Sequence, residues 1–473
     1  MRNEVRQTLA ALAAAGIMLP TPGMVASQPR RQGAQGTVAI VGAMLVDGHG
    51  GLPLHNSVVI VEGDKIKAVG TVDSLKPPPG AKIIDGRGKT VMPGLIDMHC
   101  HVDIVGHGVY GEWHPYVKKH YKEILPGESK DLLMAGVTTG REPGGFLETD
   151  LWVRDSIARG DFPGPRRLVS GPYISFGDPK TGDSGPHGDP NSENAHYLMV
   201  DTPETAREAA IYLLDKGVDL LKAYNNLTEP MVRAITEEAH KRGKHVASHV
   251  RGPEDLAMRI RAGVDTIEHM GGHSGGRFTQ ESLDLMAQQR VAVVPTLNVG
   301  LVYKETEAFP GRLEDPKAMP NFPPDVQDLI RKSNRQYSHL RYFDGSKTRN
   351  DTATPVIFKQ LVDAGVTILM GTESGTPLNF HTSAAAREMV WMNKLGMSNM
   401  NVIVSSTRAP AQFLRMDDKY GSIEIGKVAD VIMVDGNPLF DMAVMHQVSF
   451  VMKDGVIYKG DGSGQSSRTD SSR

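Results

Sequence analysis

The chain has 473 residues, 40% hydrophobic and 23% charged, with a formal net charge of -3. This is more than one average domain, with the composition of a soluble globular protein, and the weak charge with no concentrated Lys/Arg stripe argues against nucleic acid or an anionic membrane as partner. With 17 histidines and one cysteine, an internal disulfide and a thiolate zinc cluster are excluded, so a metal would need His, carboxylate or a less usual ligand.

Residues 1–27 read as a secretory leader. Arg2 and Arg6 precede an Ala/Leu-rich run from Leu9 to Leu19, too short to span a bilayer. Val25-Ala26-Ser27 offers small residues for cleavage before Gln28. The expectation is an exported protein, periplasmic or secreted, with no membrane contact in its mature form. Residues 28–37 are a polar lead-in. From Thr37 short β-type runs alternate with turn pairs such as Gly63-Asp64, and similar runs return at 429–434 and 448–457. Two β-rich ends around a different middle predict one small composite β-sandwich domain built from both termini, residues 28–90 and 409–460. Residues 461–473 are Ser/Gly/Asp-rich and predict a disordered tail.

Residues 91–408 alternate between apolar strand-like runs and helical patterns. Strands are predicted at 95–101, 137–142, 167–171, 219–224, 245–250, 266–269, 292–296 and 366–371. A helix is predicted after Thr228, with Pro230 in its first turn, Lys241 and Arg242 at its end and Gly243 as its stop. Eight strands with intervening helices give the α/β class and a (β/α)8 TIM barrel, with a doubly wound sheet as the competing layout. Two long loops, 176–197 with His187 and 300–352, have the length of functional lids or binding loops.

The stretch Pro93-Gly94-Leu95-Ile96-Asp97-Met98-His99-Cys100-His101 ends the first strand. Alternation along a strand puts His99 and His101 on one face, able to share a metal ion, with Cys100 on the other. Lys222 falls in strand four, His249 at the end of strand five, His269 at the end of strand six and Glu373 after strand eight. Singly, each reads more readily as a structural histidine, a snorkelling or salt-bridged lysine or a turn carboxylate. Together they fall at the C-terminal ends of different strands, which in a barrel converge on one mouth. That makes a site of N and O ligands suited to zinc and similar divalent ions. No Gly-rich strand-to-helix loop with a phosphate fingerprint is present, which disfavours nucleotide binding.

The order of these motifs resembles the metal-dependent amidohydrolase superfamily. The matching residues are the Pro93–His101 phrase, Gly136-Val137-Thr138-Thr139-Gly140-Arg141, Lys222, His249, His269, Gly371-Thr372-Glu373-Ser374-Gly375 and the closing Gly426-Lys427-Val428-Ala429-Asp430. Gly164–Gly171 and Thr376–His381 are similar to the imidazolonepropionase-like branch with its prolidase-type dipeptidases. The resemblance implies two divalent metal ions, zinc by preference. His99 and His101 would hold the first, His249 and His269 the second, with carboxylated Lys222 bridging them. Burial of Lys222 in an apolar run would favour the neutral amine that carboxylation needs. Glu373 would bind the first metal and act as base, His187 would steady the oxyanion, and Tyr224 and Arg141 would bind substrate. The implied reaction is hydrolysis of an amide-type C–N bond in a small molecule (dipeptide, Xaa-Pro or N-acyl amino acid) by a metal-bridging hydroxide. Opening of a cyclic amide or lactone, deamination, and a metal-retaining binding protein are the alternatives, and a homo-oligomer is compatible with the sequence. The chain departs from the family at Glu373, where Asp is usual, and at Arg141-Glu142, where Arg-Asp is frequent. The extra methylene at Glu373 extends reach by about 1.5 Å.

Overall fold

The computed structural model describes residues 36–177, 196–271, 277–335 and 353–460. The leader, the tail and His187 lie outside the described residues. Among those described, no helix is long and apolar enough to cross a membrane.

Five strands come first: β1 Thr37–Leu45, β2 Leu54–Glu62, β3 Lys65–Thr71, β4 Lys82–Asp85 and β5 Lys89–Pro93. They are joined from the far end of the chain by β15 Val431–Asp435, β16 Val448–Lys453 and β17 Val456–Lys459. The order is β17-β16-β15-β5-β1-β2-β3, with β4 beside β1. The two ends meet where β15 runs antiparallel to β5, Val431 opposite Pro93. Alternating apolar residues drive this pairing: Ile40, Val59, Val91, Val431 and Phe450 share one fully buried cluster. Where the sequence suggests a two-layer sandwich, hydrogen bonding joins all eight strands into one mixed sheet.

Between these ends run β6 Leu95–Asp97, β7 Val137–Glu142, β8 Arg166–Val169, β9 Tyr173–Phe176, β10 Tyr197–Val200, β11 Leu220–Ala223, β12 His245–Ser248, β13 Thr266–Glu268 and β14 Ala292–Val294. They form two parallel sheets, β6-β7-β8 and β10-β9-β11-β12-β13-β14. Such strands need both faces covered. The helix Glu229–Lys241, between β11 and β12, does this with Met231, Val232, Ile235 and Ala239. Thr228 precedes it, but its side chain makes no cap bond.

One predicted element differs, and two strands are not predicted. The loop expected at 176–197 is flanked by β9 and β10, with Tyr173 paired to Tyr197. The strand expected at 366–371 is instead an extended segment with one isolated parallel bridge, Val293 to Ile368, and a second bridge, Cys100 to Ser374, lies just beyond it. Its backbone groups are shared with a third partner: Leu369 N donates to Val293 O and Met370 N to Ser405 O, both at 2.9 Å. Ile96 N likewise donates to Ser406 O. The ladder is interrupted because a helix end takes part of it.

Candidate metal centre

Beyond β6 the chain stays extended. Met98 N donates to Met370 O at 2.9 Å, Cys100 N to Arg141 O at 3.0 Å and His101 N to Ser374 O at 2.9 Å. Side-chain alternation therefore persists. His99 and His101 stand together with ring centroids 5.4 Å apart, while Cys100 turns to the core and receives a bond from Arg167 Nη1 at 3.2 Å.

The 371–374 turn is seated against this strand. A Cβ at Gly371 would lie 2.3 Å from Val294 Cγ1 and 2.9 Å from His99 N, so only glycine permits the approach. Asp97 clamps the turn: its Oδ1 accepts from His99 N at 3.0 Å and Thr372 N at 3.1 Å, and its Oδ2 accepts from Thr372 Oγ1 at 2.6 Å. Glu373 follows with a left-handed φ of 55°, as do His269 at 61° and Thr296 at 46°. Left-handed backbone at side-chain-bearing residues is strained and collects at functional sites. Asn379 Nδ2 donates to Glu373 O at 2.9 Å, and Thr376 Oγ1 donates to the same oxygen at 2.8 Å.

The Glu373 carboxylate is thereby aimed among three imidazoles. Its Oε2 lies 2.8 Å from His99 Nε2 and 3.5 Å from His269 Nδ1, and its Oε1 lies 3.5 Å from His101 Nε2. His99, His269 and Glu373 offer ligand atoms all within 4.8 Å of one another. The His249 ring is 5.0 Å from that of His269 and 4.8 Å from that of Tyr224. Burial alone would raise the Glu373 carboxyl, but His269 and His99 beside it hold it well below its ordinary value.

Lys222 is fully buried in β11, and its Nζ has no hydrogen-bond partner among the described residues. Burial lowers its amine to about 8, against the pull of Glu268 and Glu373. A buried, unpaired, easily deprotonated amine is costly unless something else completes it.

Arg141 departs from its expected role. It is buried, with Nε donating to Met98 O at 2.5 Å, Nη1 to Thr266 Oγ1 at 3.1 Å and Nη2 to Glu268 Oε1 at 2.6 Å. Its donors serve the wall behind the histidines rather than a substrate carboxylate. The sequence reading also left Glu142 and Glu268 without a role. Glu268 Oε2 lies 2.6 Å from His99 Nδ1, and Glu142 Oε1 lies 2.7 Å from His101 Nδ1. The available signal was an acid at the end of an apolar strand, directly beside a histidine or arginine of the motif.

The pattern of the Amidohydrolase family matches residues 90–459. Ochratoxinase from Aspergillus niger is 24% identical over 464 residues, covering 90% of this chain and 88% of its own. A 5-methylthioadenosine/S-adenosylhomocysteine deaminase from Caldanaerobacter subterraneus is 24% identical over 418 residues, with 80% of each chain covered. Among solved structures, a Xaa-Pro dipeptidase with methionine in its active site superposes with a TM-score of 0.71 at 26% identity, over 90% of this chain and 100% of that one. A putative prolidase from Bifidobacterium longum gives 0.66 at 27% identity, over 89% and 94%.

Proposed function

The chain belongs to the amidohydrolase family and is a hydrolase acting on C–N bonds, and from that premise we propose that its substrate is a dipeptide, Xaa-Pro peptide or N-acyl amino acid. The observation that carries this reading is the Glu373 carboxylate among His99, His101 and His269, beside an unpartnered buried amine at Lys222. Similarity to a Xaa-Pro dipeptidase supports the amide class.

The family is metal-dependent, and the residues fit that requirement. Imidazoles and a carboxylate are the donor set for zinc and related ions, three of them are clustered, and Lys222 Nζ lacks a hydrogen-bond partner among the described residues. His99, His101, His249, His269, Glu373 and Lys222, once carboxylated, would hold two divalent ions. Bound there, the metal supplies Lewis acidity, polarising the scissile carbonyl and acidifying a water. The remaining work falls to the chain. Glu373 accepts the proton of the attacking water and delivers it to the departing nitrogen. Tyr224, whose ring is tilted 47° to that of His249, borders the substrate. His187 keeps its proposed role at the oxyanion. We place the site on a closed (β/α)8 barrel, with the terminal sheet folded over as a sandwich, in an enzyme exported by its leader.

The test is metal analysis of protein purified without chelator, followed by turnover of a dipeptide and N-acyl amino acid panel. Bound metal with hydrolysis of some panel members is the expected result. Bound metal with no turnover across the panel would leave a binding protein and defeat the proposal.

A further inference from the structure

Each histidine of the 99–101 pair has a buried carboxylate at its back. Glu268 and Glu142 are both fully buried, and neither reaches the open side of the site. Their carboxylates meet the Nδ1 atoms, while Nε2 of each ring faces Glu373. A carboxylate accepts a proton and offers none, so it fixes hydrogen on Nδ1 and leaves the Nε2 lone pair for the site.

The two supports differ. Glu268 Oε1 already accepts from Arg141 Nη2 at 2.6 Å and Thr266 Oγ1 at 2.5 Å, so only Oε2 is left for His99. Glu142 Oε2 accepts from Val102 N, and its Oε1 faces His101. His101 Nδ1 also has a second acceptor, Gly144 O at 3.2 Å. Among the described residues His99 Nδ1 has no second acceptor beside Glu268.

We propose that Glu268 and Glu142 are positioning residues that hold the His99 and His101 rings with hydrogen on Nδ1, and that His99 depends on Glu268 alone while His101 has Gly144 O in reserve. This rests on the metal-site reading above. The asymmetry gives a sharp consequence for Glu268→Gln. Arg141 and Thr266 both need an acceptor, so the amide oxygen must face them. The amide NH2 then faces His99 Nδ1 and demands a lone pair there. The hydrogen moves to Nε2, the atom the metal needs. In Glu142→Gln the same turn of the amide is relieved, because the Nδ1 hydrogen of His101 can go to Gly144 O.

The test is histidine 15N–1H spectroscopy of the metal-stripped full-length protein, paired with zinc titration. Wild type should carry hydrogen on Nδ1 of both His99 and His101, whatever the state of Nε2. Glu268→Gln should lose it from His99 and bind zinc about 10- to 100-fold more weakly. Glu142→Gln should keep it on His101 and lose less than about tenfold in zinc affinity. Hydrogen absent from either Nδ1 in wild type, or retained on His99 in Glu268→Gln, would overturn the proposal. The wild-type spectrum decides the matter even if a variant does not fold. A wild type with the expected Nδ1 hydrogens but no zinc binding would count against the metal-site reading instead.

Discussion

At the residue scale the proposed function turns on Glu373, the position where an aspartate is usual in the family that the sequence resembles. Its longer side chain does not miss the site: Oε2 is 2.8 Å from His99 Nε2. The left-handed backbone and the Asn379 and Thr376 bonds set the starting point of that longer arm. Glu373→Ala should therefore lower kcat by about 10²- to 10⁴-fold, as expected for loss of a general base. Glu373→Asp should also lose activity, by about 100-fold, because the shorter arm stops roughly 1 Å or more short. Steady-state kinetics with the best panel substrate checks both, and an Asp variant as active as wild type would refute the length argument. The histidines, Lys222 and Glu373 were legible in the sequence because a strand end turns spacing into direction. The place of Arg141 in the wall and the parts played by Glu142 and Glu268 were not legible, for one reason. Whether a charge faces the cavity or its wall depends on strand pairing, and Arg141 meets Glu268 across 127 residues of chain.

At the element scale, helices and strands are held in register by side chains that the pattern of apolar residues does not reveal. Asp265 is one. Its Oδ2 accepts from Val246 N at the start of β12 at 2.7 Å and lies 2.9 Å from His240 Nε2 in the preceding helix. Burial would raise this carboxyl, yet His240, His245 and Val246 bring it from 3.8 down to about 2. A depressed acid stabilises the fold fully above its unfolded value and loses that contribution as pH falls through its folded value. Wild type should thus exceed Asp265→Asn by about 2 kcal/mol at neutral pH. The gap should close between about pH 4 and pH 2, as read by urea unfolding at stepped pH. A gap that is independent of pH would contradict the assignment. Most of the parallel strands and the Glu229–Lys241 helix were readable from periodicity. β9 and β10 were not, because each is only four residues long and flanks a Gly/Pro-rich stretch. The 366–371 segment has a strand's apolar pattern but not its ladder, since Ser405 takes one of its bonds.

At the scale of the whole molecule, the terminal sheet and the parallel strands are tied through Arg166 of β8. Its Nη1 donates to Asp430 Oδ2 at 3.0 Å, its Nη2 donates to Asp454 Oδ1 at 2.6 Å, and its guanidinium lies 3.8 Å over the Tyr420 ring. Replacing it with Met would leave Asp430, only 5% exposed, without its main counter-charge. Breaking such a pair from one side costs about 3–5 kcal/mol. Arg166→Met should lower the urea midpoint accordingly, and an unchanged midpoint would show the tie to be idle. The left-handed residues at 269, 296 and 373 carry a different implication, one about how this sequence can change under selection. Each such position costs on the order of 1–3 kcal/mol of folding free energy, and glycine would relieve it. The protein is therefore held below the heat resistance open to its own fold. A library selected only for survival at high temperature should enrich Gly at 373 and yield stable, inactive chains. The same library selected for turnover should keep Glu373 and gain its stability elsewhere, and sequencing both pools would read the difference.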